Sequence, residues 1–311
     1  MTTRLAILCP GQGGQHPGMF DLALSDAATA EALAGWGLFD CTGLHPDRLP
    51  EQPELLYENR LAQPLVVAAT MAVWQAVRAH LPDPVLAAGY SVGELAAYGV
   101  AGALAPGEVV RLVARRAALM DGCVQPGQPH GMAALSGLDA AALQALLPAH
   151  ALFPAIETGE ANFIVAGLRD ALPALTAEVE ARGQHATLLP VAVASHTPLM
   201  HLAAQAFRPC LDAAAWSAPA FPVLSGTSGN AVYRPAQAQQ ALTEQIEQTI
   251  RWSACMDSIA EAGITVALEL GPGAALSRML RERHGHIEAR SASEFRSLDG
   301  LTAWFRRRHG S

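Results

Sequence analysis

Short apolar runs alternate with amphipathic stretches along most of the chain. Apolar runs bounded by glycine or proline are typical of buried strands, and apolar positions three and four residues apart are typical of helices. This pattern predicts strands at 4–10, 84–90, 131–137, 151–156, 162–167, 186–193, 221–226 and 265–271. It predicts helices at about 60–79, 92–101, 107–121, 170–182, 237–250 and 252–262, a short one after 137 and a final one after 271. Alternating strands and helices indicate a parallel sheet covered by helices on both faces.

The segment 128–194 has a different order of elements. It is predicted to run strand, helix, strand, strand, helix, strand, which is the order of a ferredoxin-like unit. The loop-like sequences QPGQPHG (125–131) and VASHTP (193–198) bracket it. We therefore expect a small ferredoxin-like subdomain inserted into a larger α/β domain that is formed by 1–127 and 195–311.

Composition restricts the class of protein. Hydrophobic residues make up 51% of the 311 residues and charged residues 15%, so we expect an ordered globular chain. The net charge of −8 argues against a nucleic acid or an anionic membrane as a partner of the whole surface. The basic end WFRRRHG (304–310) is a local exception, for which a solvated helix end is the simpler interpretation. The longest apolar run, at 64–74, is too short to span a bilayer.

The cysteines favour a reduced, cytoplasmic protein. There are five, at positions 9, 41, 123, 210 and 255, and no C-x-x-C pair occurs among them. An odd number of widely spaced cysteines gives neither a disulfide framework nor a metal-binding spacing. The first apolar run is too short for a signal peptide and is followed at once by a glycine-rich turn.

Ser91 lies between two glycines in GYSVGE (89–94). The pattern G-x-S-x-G between a strand and a helix is typical of a nucleophile elbow, in which a sharp turn exposes the serine. A second interpretation stays open, because Ser91 and Glu94 also match the S-x-x-E capping box of a helix start. A cap does not require glycine on both sides, so the pattern favours a nucleophile. The larger domain is then expected to be α/β-hydrolase-like.

A serine nucleophile needs N–H donors for an oxyanion. The N–H of Val92, at the start of the helix after the elbow, is one candidate. The turn CPGQGGQ (9–15) follows the first strand and would meet the elbow at the same edge of the sheet. A tight turn with no catalytic part is the alternative for this segment.

The nucleophile also needs a base, for which eleven histidines compete. His196 lies in SHTP, where Thr197 is expected to cap a helix that Pro198 opens. This places His196 on a rigid corner. His284 and His286 form an H-x-H pair near the end of the chain, for which a polar loop is a simpler interpretation than a metal site.

The helix predicted at 107–121 carries a charge on its apolar face. Arg116 occupies the position at which the apolar stripe should continue, whereas Arg111 and Arg115 fall outside the stripe. An unpaired charge that points inward is costly, so Arg116 needs an anionic partner. The alternatives are an internal carboxylate and a substrate carboxylate bound by the guanidinium fork.

Together these motifs resemble those of the malonyl-CoA:acyl carrier protein transacylases over nearly the whole chain. Six segments match the family's motifs in order: PGQGGQ (10–15), AQP (62–64), GYSVGE (89–94), RRAALM (115–120), ASHTPLM (194–200) and ELGPG (269–273). The inserted ferredoxin-like subdomain is also a feature of that family. The resemblance implies transfer of a malonyl group from malonyl-CoA to the pantetheine thiol of an acyl carrier protein. It further implies an acyl-serine intermediate in a ping-pong cycle, and no cofactor besides the CoA thioester that serves as substrate.

The resemblance also implies roles for individual residues. Ser91 would be the acylated nucleophile and His196 its general base. A backbone carbonyl near Gln245, in EQIEQTIRW (244–252), would orient His196 in place of an acid. The other implied roles are those of the oxyanion donors Gln12 and Val92, the malonyl-binding Arg116 and the pocket residue Gln63.

The sequence departs from the family's pattern at three points. Tyr90 stands where the elbow usually has histidine, so the wall of the acyl pocket is expected to differ. The proline of the family's usual P-V-x-W motif is absent from TIRW (249–252), which weakens the assignment of Gln245. TGEANFIVAG (158–167) lacks the usual asparagine and glutamine pattern, so the surface toward the carrier is expected to be specialised. The chain is somewhat more similar to the transacylase subunit of malonate decarboxylases, or to polyketide-associated transacylases, than to the fatty-acid enzyme.

Two other functions stay open. A serine hydrolase of the elbow type would need the order serine, acid, histidine, which Asp257 or Glu269 with His284 could supply. A non-catalytic subunit that only docks a carrier protein is the second alternative. Loss of the nucleophile, the base or the arginine would favour it, and none of the three is lost.

Overall fold

Within residues 3–49 and 53–309, which the computed structural model describes, the chain forms two β-sheets surrounded by helices. The strands are β1 (Leu5–Cys9), β2 (Leu86–Gly89), β3 (His130–Ser136), β4 (Phe153–Gly159), β5 (Asn162–Leu168), β6 (His185–Leu189), β7 (Val223–Leu224), β8 (Ala231–Val232), β9 (Ile250–Arg251), β10 (Val266–Glu269) and β11 (Glu288–Ser291). The helices are α1 (Asp21–Leu24), α2 (Ala27–Ala34), α3 (Leu38–Thr42), α4 (Pro53–Tyr57), α5 (Asn59–Val77), α6 (Gly93–Val100), α7 (Pro106–Asp121), α8 (Ala140–His150), α9 (Leu172–Ala181), α10 (His201–Ala213), α11 (Pro235–Glu247), α12 (Trp252–Glu261), α13 (Ala275–Arg283) and α14 (Leu298–His309).

The larger sheet is parallel except at one edge. Its strand order is β11-β10-β1-β2-β7-β8, and only β8 runs antiparallel to its neighbour. The central strand β1 reads LAILC and is buried along its whole length. A continuous apolar strand of this kind requires helices on both faces of the sheet. The predicted parallel α/β core is therefore confirmed.

The second sheet has the strand order β6-β3-β5-β4-β9. The first four strands are antiparallel, and they have the ferredoxin-like order that was predicted for this segment. Helices α8 and α9 pack their leucines against β3 and β5 in a small core of their own. The fifth strand, β9, comes from outside 128–194 and pairs parallel with β4. The boundaries of the inserted segment stay a prediction.

Several short elements were not predicted. β8 and β9 have two residues each, which is too short for any periodicity. α1 to α4 and β11 were also missed, and the helix predicted at 237–250 already ends at Glu247. The basic segment at 304–310 falls largely on α14, with Arg306 and Arg307 exposed, while Gly310 lies outside the described residues. Among the described helices, none combines the length and apolar character needed to cross a membrane.

The elbow between β2 and α6 depends on a close backbone approach. A Cβ atom at Gly93 would overlap the carbonyl oxygen of Cys9 at the end of β1. Both groups belong to backbone, so neither can move aside without shifting the strand or the helix. Glycine at this position therefore lets the start of α6 lie directly on the neighbouring strand.

We predict that Gly93→Ala lowers the free energy of unfolding by about 2 kcal/mol, because the added methyl group forces the helix away from the sheet. Urea unfolding followed by circular dichroism measures the change. The matched control is Gly107→Ala in α7, where a Cβ atom would lie 3.5 Å from the nearest backbone oxygen. Equal stability of the two variants would contradict the steric explanation.

Candidate active site

Ser91 lies in the turn between β2 and α6 with a positive φ of 55°. This left-handed conformation is uncommon for residues other than glycine, and it is a form of strain that concentrates at functional sites. The Oγ atom of Ser91 lies 2.8 Å from Nε2 of His196. The sequence pattern G-x-S-x-G thus forms the strained elbow that was predicted, with the hydroxyl directed at a histidine.

The capping-box interpretation of Ser91 and Glu94 is wrong. Val92 occupies the N-cap position of α6, and no side chain caps that helix. The Ser91 hydroxyl contacts His196, while the Glu94 carboxylate accepts a hydrogen bond from the backbone N–H of Gly226 at 3.0 Å. Both side chains therefore bind groups that are distant in the sequence, and neither caps α6.

His196 is fixed by the last turn of α11. The final carbonyl groups of a helix have no partner within the helix and need donors from elsewhere. The backbone N–H of His196 donates to the carbonyl of Ile246 at 2.8 Å, and the ring Nδ1 forms a hydrogen bond with the carbonyl of Gln245. A carbonyl can only accept, so Nδ1 carries the hydrogen and Nε2 is left as the acceptor for the Ser91 hydroxyl.

The local structure around His196 differs in one detail from the expectation. His196 has a positive φ of 64°. The helix that was predicted to open at Pro198 begins with a short 3₁₀ turn, Pro198–Met200, and continues as α10. However, the Thr197 hydroxyl does not cap that turn. It donates to the carbonyl of Ala194 at 2.7 Å and so closes the corner on the side that precedes the histidine.

The imidazole of His196 is held in its neutral form. Burial lowers its pKa from the ordinary 6.5 to about 3, the positive charge of Arg116 acts in the same direction, and the hydrogen bond to Gln245 opposes both. Because the pKa in the folded protein lies below the ordinary value, the ring binds a proton only in acid. At neutral pH the ring can therefore accept the proton of Ser91.

Arg116 is buried and its guanidinium is held by two amides. One terminal nitrogen donates to Oε1 of Gln63 at 2.6 Å and the other to Oε1 of Gln245 at 3.0 Å. Among the described residues, no carboxylate forms an ion pair with it, and the buried carboxylate of Glu94 is joined to it only through Gln245. Burial lowers the pKa of Arg116 to about 10, while the charge of Glu94 raises it. The group therefore stays cationic at neutral pH.

A polar side chain that was not predicted joins the glycine-rich turn to this arginine. Oδ1 of Asn59 accepts hydrogen bonds from the side chains of Gln63 at 2.7 Å and Gln12 at 2.9 Å. Its Nδ2 donates to the carboxylate of Asp121 at 2.9 Å. The signal that could have found Asn59 is its spacing of four residues from Gln63, which puts both on one face of α5.

The glycine-rich turn lies against the elbow. A Cβ atom at Gly11 would lie 2.8 Å from the carbonyl oxygen of Tyr90 and 3.6 Å from Cβ of Ser91. In the described part of the chain, neither the N–H of Gln12 nor that of Val92 donates a hydrogen bond. The two N–H groups expected to bind an oxyanion therefore have no acceptor among the described residues.

Tyr90 lines a cleft between the two sheets. Its ring meets Trp252 edge-on, with 5.4 Å between the ring centroids. The cleft has a volume of about 740 Å³ and is lined by Gln12 and Tyr90 on one side and by residues of β3, β5 and β6 on the other. Because Tyr90 directly precedes Ser91 in the chain, the cleft lies next to the elbow.

The acids proposed for a hydrolase-type triad lie elsewhere. The carboxylate of Glu269 accepts from the backbone N–H groups of Leu276 and Ser277 at the start of α13. Asp257 binds Arg283 and His284, the latter at 2.9 Å. Ser91 contacts His196 and not His284, and neither Asp257 nor Glu269 contacts His196. The serine–acid–histidine triad of a hydrolase therefore does not form. No set of three metal-ligating side chains is found in the described residues, those around His284 included.

Comparison with known proteins defines the class. The Acyl transferase domain family matches residues 7–297. The malonyl CoA-acyl carrier protein transacylase of Mycobacterium tuberculosis is 32% identical over 96% of this chain and 99% of its own length. That of Salmonella typhimurium is 29% identical over 94% of this chain and 96% of its own.

Solved structures agree with this assignment. The transacylase from Xanthomonas oryzae superimposes with a TM-score of 0.89 at 29% identity, and 99% of each chain is covered. A malonyl-transacylase solved in complex with a type II PKS acyl-carrier protein has a TM-score of 0.88 at 28% identity, over 97% of this chain and 100% of the other. The chain belongs to the acyl transferase family and, within it, to the malonyl-CoA:acyl carrier protein transacylases.

We predict that Ser91 reacts with a fluorophosphonate at a rate that does not fall between about pH 8 and about pH 5, because His196 stays neutral over this range. Intact-protein mass spectrometry measures the rate, and Ser91→Ala is the control that should take up no label. A fall in rate centred near the ordinary pKa of histidine would show that His196 is not held neutral.

Proposed function

We propose that this protein transfers a malonyl group from malonyl-CoA to the pantetheine thiol of an acyl carrier protein. The observation that carries the proposal is a buried arginine that forms no direct ion pair with a carboxylate of the described residues and lies near a serine that contacts a histidine. Gln245 links the two, because its carboxamide accepts from Arg116 and donates to the backbone carbonyl of Ser91 at 2.9 Å. The names of the related proteins support the same reaction.

In the first half-reaction, Oγ of Ser91 attacks the thioester carbonyl carbon of malonyl-CoA and its proton passes to Nε2 of His196. The N–H groups of Gln12 and Val92 bind the negative oxygen of the tetrahedral intermediate. The carbon–sulfur bond then breaks, and the CoA sulfur takes the proton from His196. The products are free CoA and a malonyl ester on Ser91.

In the second half-reaction, His196 removes the proton from the pantetheine thiol of the carrier. The sulfur attacks the ester carbonyl, the bond to Ser91 breaks, and His196 returns the proton to the serine oxygen. The same base therefore serves both halves, and the enzyme returns to its starting state. The reaction uses groups of this chain and two thiols, so we propose that it needs no cofactor.

Arg116 would select the acyl group. Two of its N–H groups are engaged by Gln63 and Gln245, which fixes the plane of the guanidinium. The remaining N–H groups can bind the terminal carboxylate of malonate in a charge-assisted contact. A buried cation without an ion pair favours an anionic acyl group over a neutral one.

The carrier's pantetheine arm would enter through the cleft lined by Tyr90. Support comes from the volume of this cleft, about 740 Å³, and from a similar malonyl-transacylase that was solved with its carrier. A cytoplasmic location, supported by five unpaired cysteines, stays a prediction. The greater similarity to malonate-decarboxylase or polyketide transacylases also stays a prediction.

The direct test is to mix the protein with malonyl-CoA and to measure its intact mass. We expect one added malonyl group on the native protein and none on Ser91→Ala, whose turnover should fall by several orders of magnitude because nucleophile and base act as a unit. Addition of a holo acyl carrier protein should remove the adduct and malonylate the carrier. Failure of the native protein to form the adduct would refute the proposed function.

Arg116→Ala should slow malonyl transfer about 100-fold, or about 3 kcal/mol, because a charge-assisted contact to the malonyl carboxylate is lost. Acylation by acetyl-CoA should be unchanged or faster, because a neutral acyl group no longer faces a buried cation. Stopped-flow measurement of acylation with both thioesters gives the two rates.

The matched control for Arg116→Ala is Arg115→Ala. It removes the same side chain from the next position of α7, where the residue is exposed. This control should leave both rates near those of the native protein. Equal slowing of malonyl and acetyl acylation in Arg116→Ala would instead assign Arg116 a structural role.

A further inference from the structure

Glu94 is a buried carboxylate that the proposed reaction does not use. It lies on the first turn of α6, three residues after Ser91, and its side chain has no exposed surface. Its Oε2 accepts hydrogen bonds from the backbone N–H of Gly226 and from Nε2 of Gln245, both at 3.0 Å. Its Oε1 has no partner among the described residues. A buried carboxylate with one oxygen that lacks a hydrogen bond lowers the stability of the fold, so its presence calls for an explanation.

The contacts of Gln245 indicate what Glu94 does. A carboxamide has a donor end and an acceptor end of nearly equal size, so its orientation is set by its partners. The donor end of Gln245 faces Oε2 of Glu94 and the carbonyl of Ser91, whereas its acceptor end faces Arg116. A reversed carboxamide would put an NH₂ group against the guanidinium and an oxygen against the carboxylate.

We propose that Glu94 is a positioning residue whose Oε2 holds the Gln245 carboxamide in the orientation that presents an acceptor to Arg116. Glu94 then acts on the selection of the acyl group through Gln245, without contact to the substrate. The inference rests on the proposed function, because it assigns Arg116 to the malonyl carboxylate.

The role requires an acceptor oxygen and not a negative charge. Burial raises the pKa of Glu94 to about 7, although the hydrogen bonds from Gly226 and Gln245 and the charge of Arg116 oppose this. Tyr98 on the same helix and Cys255 on α12 also feel its charge. A protonated carboxyl group still accepts at its carbonyl oxygen. The orientation of Gln245, and with it the preference for malonyl over acetyl, should therefore persist on both sides of neutral pH.

The experiment compares Glu94→Gln with Glu94→Ala in the full-length protein. The measured quantity is the ratio of Ser91 acylation rates with malonyl-CoA and acetyl-CoA, and fluorophosphonate labelling reports the serine–histidine pair separately. Glu94→Gln keeps an acceptor oxygen and should retain the native ratio within about threefold at pH 6 and pH 8, whereas Glu94→Ala should lower it at least about tenfold. If Glu94→Ala does not fold, Glu94→Met removes the acceptor while filling the space.

A double-mutant cycle with Gln245→Ala tests whether Glu94 acts through Gln245. In the Gln245→Ala background, loss of Glu94 should lower the malonyl-to-acetyl ratio no further. Additive losses would overturn the inference, as would equal slowing of malonyl, acetyl and fluorophosphonate reactions or a Glu94→Gln variant as unselective as Glu94→Ala. Absence of a malonyl adduct on the native protein would refute the proposed function instead, so the two failures are distinguishable.

Discussion

The buried guanidinium of Arg116 is the constraint on which the arrangement of the site depends. Removing a charge from water costs several kcal/mol even after a protein relaxes around it, unless other groups replace the lost hydration. Here amide oxygens of Gln63 and Gln245 replace part of it, and Asn59 and Glu94 hold those amides in turn. The five side chains come from α5, α6, α7 and α11, so one charge ties four helices together. Within the described residues, amide oxygens contact the guanidinium and no carboxylate does, so the cation can still take an anion as a direct partner.

The contact between Ser91 and His196 depends on an uncommon backbone conformation at both residues. Ser91 and His196 both have positive φ, an uncommon conformation that surrounding structure must impose. For His196 the imposing structure is the end of α11, whose unpaired carbonyls need donors and obtain them from the histidine N–H and ring. A helix terminus thus does the orienting that a carboxylate does in the Ser-His-Asp arrangement.

Orientation by a neutral carbonyl has an electrostatic consequence. A carboxylate would stabilise the imidazolium that forms while the base holds a proton, and a carbonyl does so less. Together with burial and the charge of Arg116, this keeps the pKa of His196 low. The base is therefore ready at neutral pH, and it gives its proton up readily to a departing sulfur. A site that transfers acyl groups between thiols is well matched to such a base.

Local patterns in the sequence determined the elements that carry the chemistry. The apolar runs of β1 and β2, the glycines around Ser91, the polar break in the apolar stripe of α7 and the Pro198 corner are all readable within a few residues, because they reflect backbone geometry and helical periodicity. The alternation of elements was sufficient to predict the α/β core and the ferredoxin-like order. Only the tertiary structure decided which polar groups meet. Three contacts illustrate this: β9 pairs with β4, Asn59 bonds Gln12, and Glu94 bonds Gln245. The two side-chain contacts join residues that are 47 and 151 positions apart. Contacts between distant residues produce no periodic pattern in the sequence, because they depend on how the helices and strands pack against one another.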